Sequence, residues 1–132
     1  MIFPGKKPPA TTSPALNRQQ ALACIPIRNP GAEEEPGADG ILLIYPVEVK
    51  PLFRGLMRRL TGRDTSSIRR KLQLDHMGSG VWGLIDNQRS SREIIRLFQG
   101  QHQLEEREAE IAVSSFLKEL GKRGLIAMAA GS

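Results

Sequence analysis

The side chains able to do covalent or metal chemistry are few. His76 and His102 are the only histidines, and Cys24 is the only cysteine. One thiol excludes an internal disulfide framework and a cysteine-based zinc cage, and two histidines are too few for a histidine-rich metal site. Asp75 directly precedes His76, but neighbouring residues on a helix point in different directions, so the pair does not converge on a substrate. Ser90 and Ser91 would need a base and an oxyanion hole to act as nucleophiles. The G-x-S-x-G turn that exposes such a serine is missing, and Ser90 with Glu93 three residues on has the spacing of a helix capping box. Glu105, Glu106, Glu108 and Glu110 cluster where a helix would start, and carboxylates are favoured at that positive dipole end without any metal. Gly78-Ser79-Gly80 lacks the Lys-Ser/Thr end of a phosphate loop. Cys24 has apolar neighbours and reads as an inert buried thiol. The sole tryptophan, Trp82, reads as core and not as a stacking platform. No catalytic constellation emerges, no cofactor is implied, and the chain is read as non-enzymatic.

What remains is the chemistry of charge. The formal net charge is +5, and it is unevenly held. Residues 23–49 carry −4, whereas residues 50–71 carry +7 through Lys50, Arg54, Arg58, Arg59, Arg63, Arg69, Arg70 and Lys71 against Asp64. Such a segment attracts nucleic acid, an acidic peptide or an anionic membrane surface. The bland alternative is a solvated basic loop. Within it, Arg69 to Leu74 alternates charged and apolar residues, which predicts a strand with Leu72 and Leu74 inward and Arg69, Lys71 and Gln73 outward. An exposed strand edge can accept an extended peptide as an added strand. The competing reading is a DNA-associated regulator that uses the basic insert. Against it, the helix that would enter a groove starts with four glutamates, which would face phosphates. Nucleic acid is therefore the disfavoured partner.

The surrounding pattern predicts the elements that position this strand. Residues 1–20 are rich in Pro, Thr, Ser and Lys and predict a disordered tail. Ala21 to Ile27 is apolar, with Pro26 confining it to an edge strand or a strand end. Asn29 to Gly40 is acidic and full of turn residues and reads as a loop. Ile41 to Tyr45 reads as a second strand. Leu52, Phe53, Leu56, Met57 and Leu60 fall at helical spacing opposite Arg54, Arg58 and Arg59, which predicts a short basic amphipathic helix. Asp75 N-caps a helix running to about Ile85. Ser90 opens a second helix, with Ile94, Ile95, Leu97 and Phe98 inward, that ends near Gly100. A third follows the glutamate cluster, with Ala109, Val113, Phe116, Leu117 and Leu120 as its stripe, and Gly121 or Gly124 stops it. Leu125 to Met128 predicts a short final strand. The expectation is an α+β, winged helix–turn–helix-like domain over residues 21–128, with a basic insert at 46–68. It has three short N-terminal strands, three helices and a short last strand. No apolar run is long enough to span a membrane, and Met1 to Ala10 lacks the apolar region of a signal peptide, so a cytoplasmic location is expected.

Lys71 to Ile126 resembles the PqqD family. The matching residues are Leu72, Leu74-Asp75, Gly78, Val81-Trp82 and Leu84-Ile85-Asp86, then Arg89-Ser90, Glu93-Ile94, Phe116-Leu117, Leu120 and Arg123-Gly124-Leu125-Ile126. Asn87 stands where the family often has glycine, and His76 where an acidic or polar residue is common. The resemblance implies a winged helix–turn–helix fold and a peptide chaperone. Such a chaperone binds the leader of a ribosomally made precursor peptide and presents it to a radical S-adenosylmethionine modifying enzyme, in pyrroloquinoline quinone synthesis or a related pathway. It further implies that peptide lies between the third strand and the third helix. On this sequence those are Arg69, Arg70, Lys71, Leu72 and Gln73, and the helix carrying Ala109, Ala112, Val113 and Phe116. Arg54, Arg58, Arg59 and Arg63 are the candidate contacts to an acidic leader or to the partner enzyme. A monomer or a weak dimer is expected.

Overall fold

A computed structural model describes residues 17–47 and 68–131. The first described element is a short helix, α1 (Arg18–Ala23), followed by β1 (Ile25–Arg28), β2 (Glu33–Gly37) and β3 (Gly40–Pro46). Then come β4 (Arg69–Gln73), the helices α2 (His76–Leu84), α3 (Ser91–His102) and α4 (Glu106–Lys122), and finally β5 (Ile126–Ala129). The class is α+β, as the sequence predicts. The basic amphipathic helix expected around Leu52 to Leu60, and most of the insert, lie outside the described residues.

Two elements differ from expectation. The predicted tail gives way to helix at its end, and the strand predicted from Ala21 begins only at Ile25. Asn17 starts the helix. Its Oδ1 accepts the Gln20 N–H at 2.7 Å, while Gln20 Oε1 accepts the Asn17 N–H at 3.1 Å. That is a reciprocal cap, and buried Leu22 anchors the helix in the core. A helix of this length is not stable alone, so packing decides it. The stretch read as a loop contains β2. Its sequence, EEEPG, has no apolar alternation and every residue is exposed. Pairing with β3 alone makes it a strand, in register from Glu33↔Ile44 to Gly37↔Gly40.

The strands form two antiparallel sheets, β1-β5 and β2-β3-β4. Pro26 lies opposite Met128 in the two-stranded sheet, where its missing N–H can face away from the partner, as expected of an edge strand. In the larger sheet β4 pairs with β3 from Leu42↔Gln73 to Pro46↔Arg69. The turn before β3 needs glycine. Gly40 has φ +126°, and a Cβ there would lie 2.2 Å from the Leu74 carbonyl oxygen.

Capping residues set the helix starts as predicted. Asp75 Oδ1 accepts the Gly78 N–H at 2.7 Å, and Ser90 and Glu93 form the expected box. The helix opened by Ser90, α3, runs past the predicted end near Gly100 to His102, and Gln103 ends it in the left-handed region. Gly124, at φ +78°, closes α4, with the Leu125 N–H reaching back to the Leu120 carbonyl at 3.0 Å. The helices and the inner face of β3 enclose one core built on Trp82, Phe98, Leu43, Ile94, Val113 and Leu120. Each large apolar side chain so buried contributes about 1.5–3 kcal/mol of transfer free energy. Leu97, predicted to point inward, is 40% exposed.

Candidate functional site

The backbone of β4 alternates in direction, and two hydrogen bonds fix its phase. The Val47 N–H donates to the Ile68 carbonyl at 2.9 Å, and the Leu74 N–H donates to the Ile41 carbonyl at 2.9 Å. In an antiparallel pair every second residue exchanges hydrogen bonds with its partner strand. Arg70 and Leu72 therefore direct their backbone groups at β3. Arg69, Lys71 and Gln73 direct theirs at the opposite edge, which has no strand partner among the described residues. Three donors and three acceptors line that edge at the spacing of a strand.

The side chains follow the predicted alternation. Leu72 is half-buried against the core, and Leu74 is buried. Arg69, Lys71 and Gln73 are exposed on the other face. Arg69 is held sideways: its guanidinium donates to Glu33 Oε2 at 2.9 Å and to the Gly31 carbonyl at 3.3 Å. Gln73 Nε2 donates to the Leu74 carbonyl at 2.9 Å. A second contact to the acidic strand, the Arg28–Glu34 pair at 3.0 Å, links β1 of the two-stranded sheet to β2.

On α4 the four implied residues separate. Ala109 and Val113 are wholly buried and pack the helix onto the core. Ala112 is exposed, and Phe116 is half-buried one turn further on. The Phe116 ring lies against Gly78, where a Cβ would meet its Cε1 at 3.2 Å and Asp75 Oδ1 at 3.2 Å. Asp75 follows β4 by two residues, so Phe116 marks where the α4 face meets the end of that strand. Ile111 and Met77, 54% and 42% exposed, add apolar surface beside Ala112 and Gly78 along the chain. Neither was singled out from the sequence for binding. Ile111 falls outside the buried stripe of its helix, and an isoleucine there was the available signal. Arg54, Arg58, Arg59 and Arg63 lie outside the described residues.

The groups that first suggested chemistry are engaged in structure. The Ser91 hydroxyl and N–H both donate to the Cys24 carbonyl, at 3.2 and 2.8 Å. Ser90 caps α3. The His102 ring packs on Phe98 at 4.4 Å between centroids. Trp82 is 1% exposed and carries the Arg28 guanidinium 4.3 Å above its ring, a cation–π contact that fastens β1 to α2. Arg28 also donates to the Trp82 carbonyl. The Asp86 carboxylate accepts the Arg89 and Gln88 N–H groups at 2.7 and 3.0 Å. Those bonds, Arg89 first, hold its pKa below the ordinary carboxylate value. The hydrogen bond from Arg18 does the same for Glu110. Glu106 and Glu108 stand in the first turn of α4, both exposed, so this helix meets a phosphate backbone unfavourably.

Fold and site together define a small α+β protein with a basic strand edge that has no strand partner among the described residues, and a partly apolar helix face whose Phe116 packs on Gly78 shortly after that strand. A family model described as Coenzyme PQQ synthesis protein D (PqqD) matches residues 58–126, slightly more than half of the chain. The chain belongs to the PqqD family. Members of that family are non-catalytic accessory proteins, and the family points to a peptide-binding partner of the enzymes of PQQ synthesis. No curated protein and no solved structure matches the chain. No described helix is long and apolar enough to cross a membrane.

Proposed function

We propose that this protein is a non-catalytic chaperone that takes up the leader of a ribosomally made precursor peptide as an added strand on the outer edge of β4. It then presents that peptide to a radical S-adenosylmethionine modifying enzyme, in PQQ synthesis or a related pathway. The outward backbone groups of Arg69, Lys71 and Gln73 are the observation that carries this reading. Strand addition supplies affinity through main-chain hydrogen bonds, and side-chain contacts supply selectivity. Ala112 and Phe116 are the α4 residues with surface to offer, while Ala109 and Val113 act by placing the helix. Arg70, Lys71 and Leu72 complete the strand, and the positive side chains favour an acidic leader. The folded unit extends over residues 21–128 together with α1, and residues 46–68 form its basic insert. Arg54, Arg58, Arg59 and Arg63 supply positive charge for contact with the leader or the enzyme.

The test is an amide NMR titration of the labelled chain with a small precursor peptide encoded beside its gene, with duplex DNA as control. Saturable shifts at Arg69, Lys71 and Gln73, extending to Ala112 and Phe116, are expected. Lys71→Pro removes an outward N–H without touching the β3 ladder. It should abolish those shifts while the remaining spectrum stays that of the folded protein. Unchanged peptide affinity in Lys71→Pro, or a response to DNA alone that weakens with salt, would overturn strand addition at this edge.

A further inference from the structure

A cleft of about 170 Å³ opens between α1, α3 and α4, away from the β4 edge. Arg18, Arg92, Arg96, Gln99, Glu106 and Glu110 line it. Leu22 and Ile95 give it an apolar floor and are themselves 8% and 6% exposed. The charges in it are not equivalent. Both oxygens of Glu110 are engaged by Arg18, at 2.6 and 2.7 Å, which also latches α1 onto α4. Arg92 and Arg96 stand one turn apart on α3 and make no ion pair among the described residues. Like charges at that spacing repel, so an isolated helix gains nothing from the arrangement.

We infer that this cleft docks an acidic segment of a partner protein, with a carboxylate between Arg92 and Arg96 and an apolar neighbour on Leu22 and Ile95. Guanidinium groups accept carboxylates in planar, paired hydrogen bonds. The volume suits one or two side chains of a docked segment and is too small for a drug-sized ligand, whose pockets run to roughly 300 Å³ and more. A nucleic-acid backbone fits worse, because Glu106 sits in the cleft and Glu105 and Glu108 flank it at the start of α4. Those carboxylates repel an unbroken run of phosphates more than a segment in which acidic and apolar side chains are interspersed. The position is informative too. Glu106 and Glu110 precede Ala112 and Phe116 by six residues, about 240° around a helix, so the cleft and the peptide-facing surface use different sides of α4. A partner held here would leave the β4 edge free. This inference stands on the cleft alone and does not need the peptide reading.

The test uses the full labelled chain and a blocked peptide of sequence Glu-Leu-Glu-Glu-Leu-Glu, followed by amide and arginine Nε–H signals. Saturable shifts at Arg92, Arg96 and Gln99 are expected. The double variant Arg92→Gln, Arg96→Gln changes two exposed side chains and should keep the folded spectrum. It should bind the probe at least about tenfold more weakly, the loss of one charge-assisted hydrogen bond. The inference is overturned if the variant binds as tightly as the wild type, or if the probe moves only the β4 edge. It is also overturned if duplex DNA shifts the same cleft signals at equal or lower concentration. Failure here leaves the precursor titration at Arg69, Lys71 and Gln73 unaffected, so the two readings are judged separately.

Discussion

Single residues carry several of the constraints. Gly40 combines a φ of +126° with a Cβ direction that runs into the Leu74 carbonyl at 2.2 Å. A side chain there meets backbone strain and a rigid obstacle together. Gly40→Ala should therefore destabilise by roughly 1–3 kcal/mol or more, read as a lower urea midpoint with an unchanged slope. Asn87 shows the milder case. It sits at φ 66°, where glycine is easiest and asparagine is the best-tolerated alternative. Asparagine adds a bond glycine cannot make, since its Oδ1 accepts the Arg28 N–H at 2.8 Å. Asp86 next to it has a depressed pKa in the folded state. A depressed carboxylate contributes stability above its unfolded pKa and loses it as pH falls through the folded value. Acid titration of Asp86→Asn should thus show a shallower loss of stability below about pH 4 than the wild type, followed by thermal melts at stepped pH.

At the scale of elements, caps and edges decide more than propensity does. Ser90 Oγ accepts the Glu93 N–H at 3.2 Å, and Glu93 Oε1 accepts the Ser90 N–H at 2.9 Å. Ser90→Ala should cost about 1 kcal/mol, seen as a lower melting temperature with no change in the fold. The three-stranded sheet has two edges of opposite character. β2 carries Glu33, Glu34, Glu35 and Pro36, all exposed, and charges and proline are the usual guards against unwanted strand pairing. β4 carries Arg69, Arg70 and Lys71 and no proline, and its outer edge has no strand partner among the described residues, so it is the edge on which the proposed acidic strand would add. The same contrast makes Lys71→Pro the informative variant, because it transfers the guard of one edge to the other.

Over the whole molecule, the two candidate surfaces lie on different sides of α4 and share no residue. Occupancy of one should leave the other's affinity unchanged. Read at the Arg92 and Arg96 signals, Lys71→Pro should bind the acidic hexapeptide like the wild type, and read at Arg69 and Gln73, Arg92→Gln, Arg96→Gln should bind the precursor peptide like the wild type. Equal dissociation constants in both crossed titrations are the expected result, and mutual interference would mean that the surfaces are linked through the core. Simultaneous binding is what a protein needs if it is to hold a peptide while its partner is engaged.

The sequence by itself determined the α+β class, the three helices with the caps of α2 and α3, the alternation of β4 and the core face of α4. These signals are local: a cap at a fixed offset, a period of two, a period near four. The family was legible for the same reason, through spaced apolar and turn residues from Leu72 to Ile126. The tertiary structure alone decided that EEEPG is a strand, because its ladder comes from β3 and not from its own residues. It alone decided that Arg18 to Ala23 is helical, because Leu22 needs the core and Arg18 needs Glu110. It separated Ala112 and Phe116 from Ala109 and Val113, which one apolar stripe cannot do without knowing how deep the helix is buried. And it placed Arg18, 74 residues before Arg92 in the chain, in one cleft with Arg92 and Arg96. No spacing in the sequence encodes a contact that distant, since it exists only once three helices have packed.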